Sequence, residues 1–184
     1  MDWDEYKTQI KQALDLFTFD NQILELLKNS RANKQTIFIA GNGGSASLAD
    51  HYATDFSKGA NKEWKNISFP RFKAISLSSN TGYITAIAND ESYQDIFKQQ
   101  LANLASKNDI GVFISSSGNS PNIVSVAEFA KSLEMITVGI TGFQGGKLKQ
   151  IADYSAHINF PSYGVCEDIH SIFGHFLTEY LKGV

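Results

Sequence analysis

Two glycine- and serine-rich stretches carry the clearest chemical signal in the chain: Gly41-Asn42-Gly43-Gly44-Ser45 and Ser115-Ser116-Ser117-Gly118-Asn119-Ser120. Each stands where an apolar run gives way to a helical pattern. A helix N-terminus offers unpaired backbone N–H groups and partial positive charge, which attract an anion. Serine hydroxyls add neutral donors, so Ser115, Ser117 and Ser120 are expected to seat a phosphate. Pro121 suits the first helical position, and Ser120 suits the N-cap before it. One such loop is also ordinary strand-to-helix turn chemistry, but two of them on one sheet edge favour a ligand. Gly41-x-Gly43-x-x-Ala46 matches the loose dinucleotide fingerprint, which wants an acid at the end of the second strand. That strand ends in Ser78-Ser79-Asn80 instead, and no lysine completes a Walker-type loop, so a nucleotide cofactor is not expected.

The second signal comes from histidines and acids on the flanking helices. His51 and Asp55 are spaced i, i+4 and share a helix face. The last helix carries Glu167, Asp168, His170 and His175. Taken alone, the His51–Asp55 pair is equally an ordinary surface ion pair, His170 a partner for Glu167, and His157 a structural histidine. Taken together, His51, Asp55, Glu167 and His175 are read as converging on a metal or a proton-transfer site. Nitrogen and oxygen donors without sulfur suit zinc or another divalent ion. The eight residues from Glu167 to His175 rise about 12 Å. The two therefore meet only if both side chains reach, if Glu167 precedes the helix, or if two chains share the site.

Positioning such groups requires a parallel sheet. Short apolar runs at 36–40, 72–77, 110–114, 136–140 and, more weakly, 154–158 read as buried strands. Helical stretches separate them at about 45–58, 80–104 in two pieces, 121–132 and 146–151, with a last helix over 165–182. Strands alternating with helices imply right-handed crossovers, with ligands outside the carboxyl ends of the strands. The first thirty residues, with Trp3, Tyr6, Ile10, Leu14, Phe17, Ile23, Leu26 and Leu27 at helical spacing, read as a helix used in packing or oligomerisation. The polar segment 59–71 reads as a surface loop that could cover a site. The 184 residues fit one domain, 1–184. A hydrophobic content of 42% excludes disorder, and no apolar run approaches a membrane span. The Met-Asp-Trp-Asp start does not read as a signal peptide, so a cytoplasmic location is expected. The 16 basic residues are scattered in a chain of net charge −3, which gives nucleic acid no basic face, and the lone Cys166 excludes an internal disulfide.

These residues, in order and over nearly the whole chain, resemble the phosphoheptose isomerases of the sugar isomerase (SIS) group: Gly41-Asn-Gly-Gly-Ser45, His51-x-x-x-Asp55, Asn89-Asp90, Ser115-x-Ser117-Gly-Asn-Ser120 and Glu167-Asp-Ile-His170…His175. The resemblance implies a single SIS domain of α/β class, with a flavodoxin-like five-stranded parallel sheet flanked by helices and an N-terminal helical extension. It implies interconversion of sedoheptulose 7-phosphate and D-glycero-D-manno-heptose 7-phosphate on the way to bacterial surface heptose. It also implies zinc and a homotetramer with sites near subunit interfaces. Carried over by position, Ser115, Ser116, Ser117 and Ser120 would hold the phosphate. Asn42, Gly43, Gly44, Asp55, Asn89, Asp90 and Glu167 would contact substrate. His51, Asp55, Glu167 and His175 would fall at the metal positions, with Asp55 and His175 also the catalytic base and acid. The family usually has Glu where Asp55 stands and Gln where Glu167 stands. The alternatives are a sugar-phosphate sensor or replication-initiator-binding relative without catalysis, and an isomerase of another phosphorylated sugar.

Overall fold

A computed structural model describes residues 1–183. The chain runs α1 (Trp3–Leu16), β1 (Thr18–Phe19), α2 (Gln22–Ala32), β2 (Thr36–Ala40), α3 (Gly44–Thr54), β3 (Lys73–Ser76), α4 (Thr81–Asp90), α5 (Lys98–Leu104), β4 (Ile110–Ser115), α6 (Pro121–Ser132), β5 (Ile136–Thr141), α7 (Gly146–Ile151), β6 (Tyr154–His157) and α8 (Tyr163–Gly183). The alternation of side chains along the strands divides the core into two faces. From β2, Ile37 and Ile39 join Tyr52, Phe56, Phe173 and Leu177 on one face of the sheet. Phe38 and Ala40 join Phe97, Leu101, Ile123 and Val126 on the other. The result is a helix–sheet–helix sandwich, with α2, α3 and α8 on one face and α4 to α7 on the other.

The strand order is β1-β6-β5-β4-β2-β3, in which β2 to β6 form the expected five parallel strands. The order reverses between β2 and β4, so the loops leaving these two neighbours diverge and open a crevice at their carboxyl ends. Those loops are the two glycine/serine stretches.

The structure departs from the expected single N-terminal helix. After α1, Thr18 and Phe19 pair antiparallel with His157 and Ala156, adding a sixth, edge strand, and α2 then begins anew. The reason lies in Phe17 and Phe19. Two residues apart, they both reach the ring of Phe173, each at 5.1 Å between centroids. A helix would have turned them to different sides. The segment between Gly59 and Phe72 is irregular as expected. Its Phe69 and Phe72 rings lie under the Arg31 guanidinium, and it lines no part of the crevice.

Candidate functional site

The crevice is a cavity of about 260 Å³ lined by Asn42, Gly43, Gly44, Ser45, Ile114, Ser115, Ser116, Ser117, Ser120, Tyr163 and Glu167. Its wall joins the N-termini of α3 and α6, and neither helix is capped by a side chain. Ser120 occupies the N-cap position as expected, yet its hydroxyl does not cap. It lies 3.3 Å from the Ser115 hydroxyl instead. Ser115 also accepts from the Gly118 N–H at 3.2 Å. Among the described residues the buried Ser116 hydroxyl has no hydrogen-bond partner, a state that buried polar groups rarely keep unless a ligand or water completes them. Uncapped helix ends, two facing hydroxyls and one orphaned hydroxyl together are the set of donors that an anion seat requires.

Along α3 the second cluster follows. His51 Nε2 lies 3.3 Å from Asp55 Oδ2 and 3.4 Å from His175 Nε2, with the two imidazoles edge to face at 5.0 Å. One ligand atom from each of the three lies within 4.8 Å of the others. Asp55 ends α3 and opens a π-helical turn, Asp55–Gly59, a distortion found frequently at functional sites. Donors of this kind at this spacing fit a zinc-like cation.

Glu167 does not join this group. The rise of α8 separates it from His175, the outcome against which the helix arithmetic had warned, and it lines the cavity instead. There its carboxylate lies so close to Gly44 that a methyl group added at that residue would stand 2.3 Å from Oε2. Asn89 and Asp90 lie exposed at the end of α4, bonded to each other at 2.7 Å, and do not line the cavity. Asn42 is held by a reciprocal amide pair with Asn122, at 2.8 and 2.9 Å, and accepts from the Tyr93 hydroxyl at 3.2 Å. Asn122, Tyr93 and the cavity-lining Tyr163 were not singled out from sequence. For Asn122 a signal existed, since a polar residue just after the Ser120-Pro121 helix start points back at the loops.

A family model described as SIS domain matches residues 7–142. A phosphoheptose isomerase of Helicobacter pylori (strain P12) is 35% identical over 178 residues, covering 96% of this chain and 90% of the relative. The chain belongs to the phosphoheptose isomerase family of SIS-domain proteins. Among solved members of the family, phosphoheptose isomerase GmhA from Neisseria gonorrhoeae is 28% identical with a TM-score of 0.80, covering 89% of this chain and 84% of that one. The fold alone is matched still more fully by a phosphoheptose isomerase from Francisella tularensis, at a TM-score of 0.88 and 24% identity over 98% of this chain and 96% of that one.

In this phosphoheptose isomerase family member, His170 is not a partner of Glu167. It is fully buried on the inner side of α8, and neither ring nitrogen has a hydrogen-bond partner among the described residues. Burial pushes its pKa down to about 4, and the nearby His157 adds to the fall. The Thr141 backbone opposes it without completing a bond. The neutral ring is thus the native form, whereas an unfolded-chain histidine titrates near 6.5. Its contribution to stability is therefore complete above that pH and is lost as pH falls toward 4. Between pH 7.5 and 5 the loss should be about 2 kcal/mol. Urea unfolding at the two pH values measures it, and the slope should flatten in His170→Phe. An unchanged slope would place the acid sensitivity elsewhere.

Proposed function

We propose that this chain is an aldose–ketose isomerase that interconverts sedoheptulose 7-phosphate and D-glycero-D-manno-heptose 7-phosphate, in the cytoplasm, for the lipopolysaccharide or other surface carbohydrate of a bacterium. One observation carries the reading. A single helix begins at the anion seat and, seven residues or about 10 Å later, presents an imidazole–carboxylate group completed by His175. An extended sugar phosphate bound by its phosphate at Ser115, Ser116, Ser117 and Ser120 would bring its carbonyl end to that group.

In this reading the chain's own residues divide the work. The serine loop and the two helix ends fix the phosphate and so position the far end of the sugar. Asn42, Gly43 and Gly44 line the path of the sugar hydroxyls, with Asn42 braced by Asn122 and Tyr93. Asp55 takes the proton from the carbon beside the carbonyl, and His175 delivers a proton to the oxygen as the enediol(ate) forms. Near neutral pH an imidazole and a carboxylate suit such transfers. His51, in contact with both, orients them. We assign zinc to His51, Asp55 and His175. When bound, it would supply polarisation of the carbonyl and a hold on the developing negative charge.

We also propose that the chain works as a homotetramer with sites near subunit interfaces. Trp3, Ile172 and Phe176 are exposed apolar side chains on α1 and α8, and Ile172 borders the same groove as His175. Light scattering tests this, and a stable monomer would defeat it.

The isomerase reading is tested by incubation with sedoheptulose 7-phosphate in deuterium oxide, with and without a chelator. Aldose product with deuterium at C1 or C2 is expected, and its loss with chelator. Turnover indifferent to chelator would remove the metal and keep the enzyme. Tight binding without turnover would make the chain a sugar-phosphate sensor.

A further inference from the structure

Tyr163 is the one aromatic residue in the wall of the cavity among the described residues. It opens α8 and stands i, i+4 to Glu167, so the two side chains share a helix face and both line the cavity. The other donors in the wall are neutral, chiefly the starts of α3 and α6 and the hydroxyls of Ser115, Ser116, Ser117 and Ser120. Among the described residues no lysine, arginine or histidine lines it, so a phosphate seated there depends on how many neutral donors converge on it. The hydroxyls of Tyr6, Tyr52, Tyr83, Tyr93 and Tyr180 each bond another part of the chain. That of Tyr163 has no such bond among the described residues. Its ring, 59% exposed, is nonetheless held, packed on Phe143 at 4.7 Å between centroids and 56° between planes. Phe143 takes a φ of +47°, a costly conformation for a side chain of this bulk. The residue before it, Gly142, donates its N–H to the Ser116 carbonyl at 2.8 Å. The aromatic pair is thus fixed to the same loop that carries the hydroxyls.

We propose that Tyr163 is a substrate-binding residue: its ring walls the solvent side of the seat, and its hydroxyl donates to the bound phosphate. This role rests on the sugar-phosphate reading of the cavity. The phenol adds a neutral donor where no cation is at hand, and a hydrogen bond to a charged acceptor is worth more than one between neutral groups. The ring keeps bulk water from one side of the phosphate, which strengthens the remaining bonds by lowering the local dielectric. The phosphate lies away from the reacting carbons, so this contact holds the ground state and the transition state alike. Its loss therefore falls on KM and leaves the chemical step.

Tyr163→Phe keeps the ring on Phe143 and removes only the hydroxyl, so the fold is not at risk. In the untreated enzyme its KM for sedoheptulose 7-phosphate should rise about tenfold, the scale of one hydrogen bond to a charged group, while kcat changes less than about twofold. Calorimetric titration of the full-length, chelator-treated protein with inorganic phosphate should show a similar loss, again about tenfold. Tyr163→Ala should lose at least as much in both measurements, because the wall goes with the hydroxyl. A tyrosine that merely covered the start of α8 would need its ring and not its hydroxyl. Tyr163→Phe equal to the parent in KM and in phosphate affinity would therefore overturn the proposal. A raised KM with unchanged phosphate affinity would put the hydroxyl on the sugar and overturn its assignment to the phosphate. A parent that binds no inorganic phosphate removes the seat, and the role of Tyr163 with it. The isomerase reading fails separately, if the parent binds both phosphate and the heptose phosphate yet never converts the sugar.

Discussion

His175→Gln should lower turnover of sedoheptulose 7-phosphate by roughly 10²–10⁴-fold, the usual weight of a positioned acid or base, while KM moves by less than about threefold. The split follows from the distances. His175 stands with His51 and Asp55 at the far end of α3, two helical turns from the residues proposed to seat the phosphate. Its removal leaves the anchoring half of the site intact, and binding held largely by that anchor persists. Asp55→Asn should behave alike, because it leaves the helix and the π-helical turn in place and removes the charged oxygen proposed both to take the proton and to hold the metal. Both variants should also lose exchange of solvent deuterium into the sugar, which separates a failure of proton transfer from a failure of product release. Steady-state kinetics with exchange followed by NMR would decide it. Parental rates in either variant would remove the role assigned here to that residue.

How much of this site was legible in the sequence depends on how local each feature is. The serine loop and the His51–Asp55 spacing are written in short stretches of sequence; the loop lies at the strand end as expected, and the pair meets across one helix face as its spacing implied. His175 was found through its chemistry and through resemblance, and its partnership with His51 across 124 residues had no local signal. Glu167 shows the converse. Its type and resemblance placed it at a metal position although the rise of the helix spoke against it, and the pitch of α8 carries it to the cavity end of α3, where it lies against Gly44. Asn42 and Asn122 pair across two loops, and Tyr93 reaches Asn42 from a short 3₁₀ turn. Such contacts depend on which strands are neighbours, and a single sequence does not state that.

The fold was more readable than the site, because burial on both faces writes each parallel strand as a short apolar run. The five parallel strands lie within a residue or so of their expected bounds. The N-terminal segment misled for a physical reason. Phe17 fits the helical stripe of its neighbours, but pairing of Thr18 and Phe19 with β6 and the packing of both phenylalanines on Phe173 outweigh local propensity.

Gly174→Ala should destabilise the protein by about 3 kcal/mol, near the top of the range for overpacking a filled core. A methyl group on Gly174 would lie 2.0 Å from Cε1 of Tyr52, and the ring has nowhere to go. Tyr52 is buried among Phe56 and the α8 side chains, and its hydroxyl donates to the His170 carbonyl, so both the body and the tip of the ring are fixed. The strain can be relieved only by parting α3 from α8. Those two helices carry His51 and His175, whose nitrogens stand 3.4 Å apart. The variant should therefore lose activity even at temperatures where it remains folded, since a displacement of about 1 Å at a catalytic group is enough to cost roughly a hundredfold. Thermal unfolding should show a midpoint lowered by roughly 10 °C, given a few degrees per kcal/mol for a chain of this size. Combining the change with Tyr52→Ala should cost much less than the sum of the two single substitutions, because each removes the reason the other is harmful. Additive losses, or a Gly174→Ala protein as stable as the parent, would mean that the α3–α8 contact is looser than the structure places it.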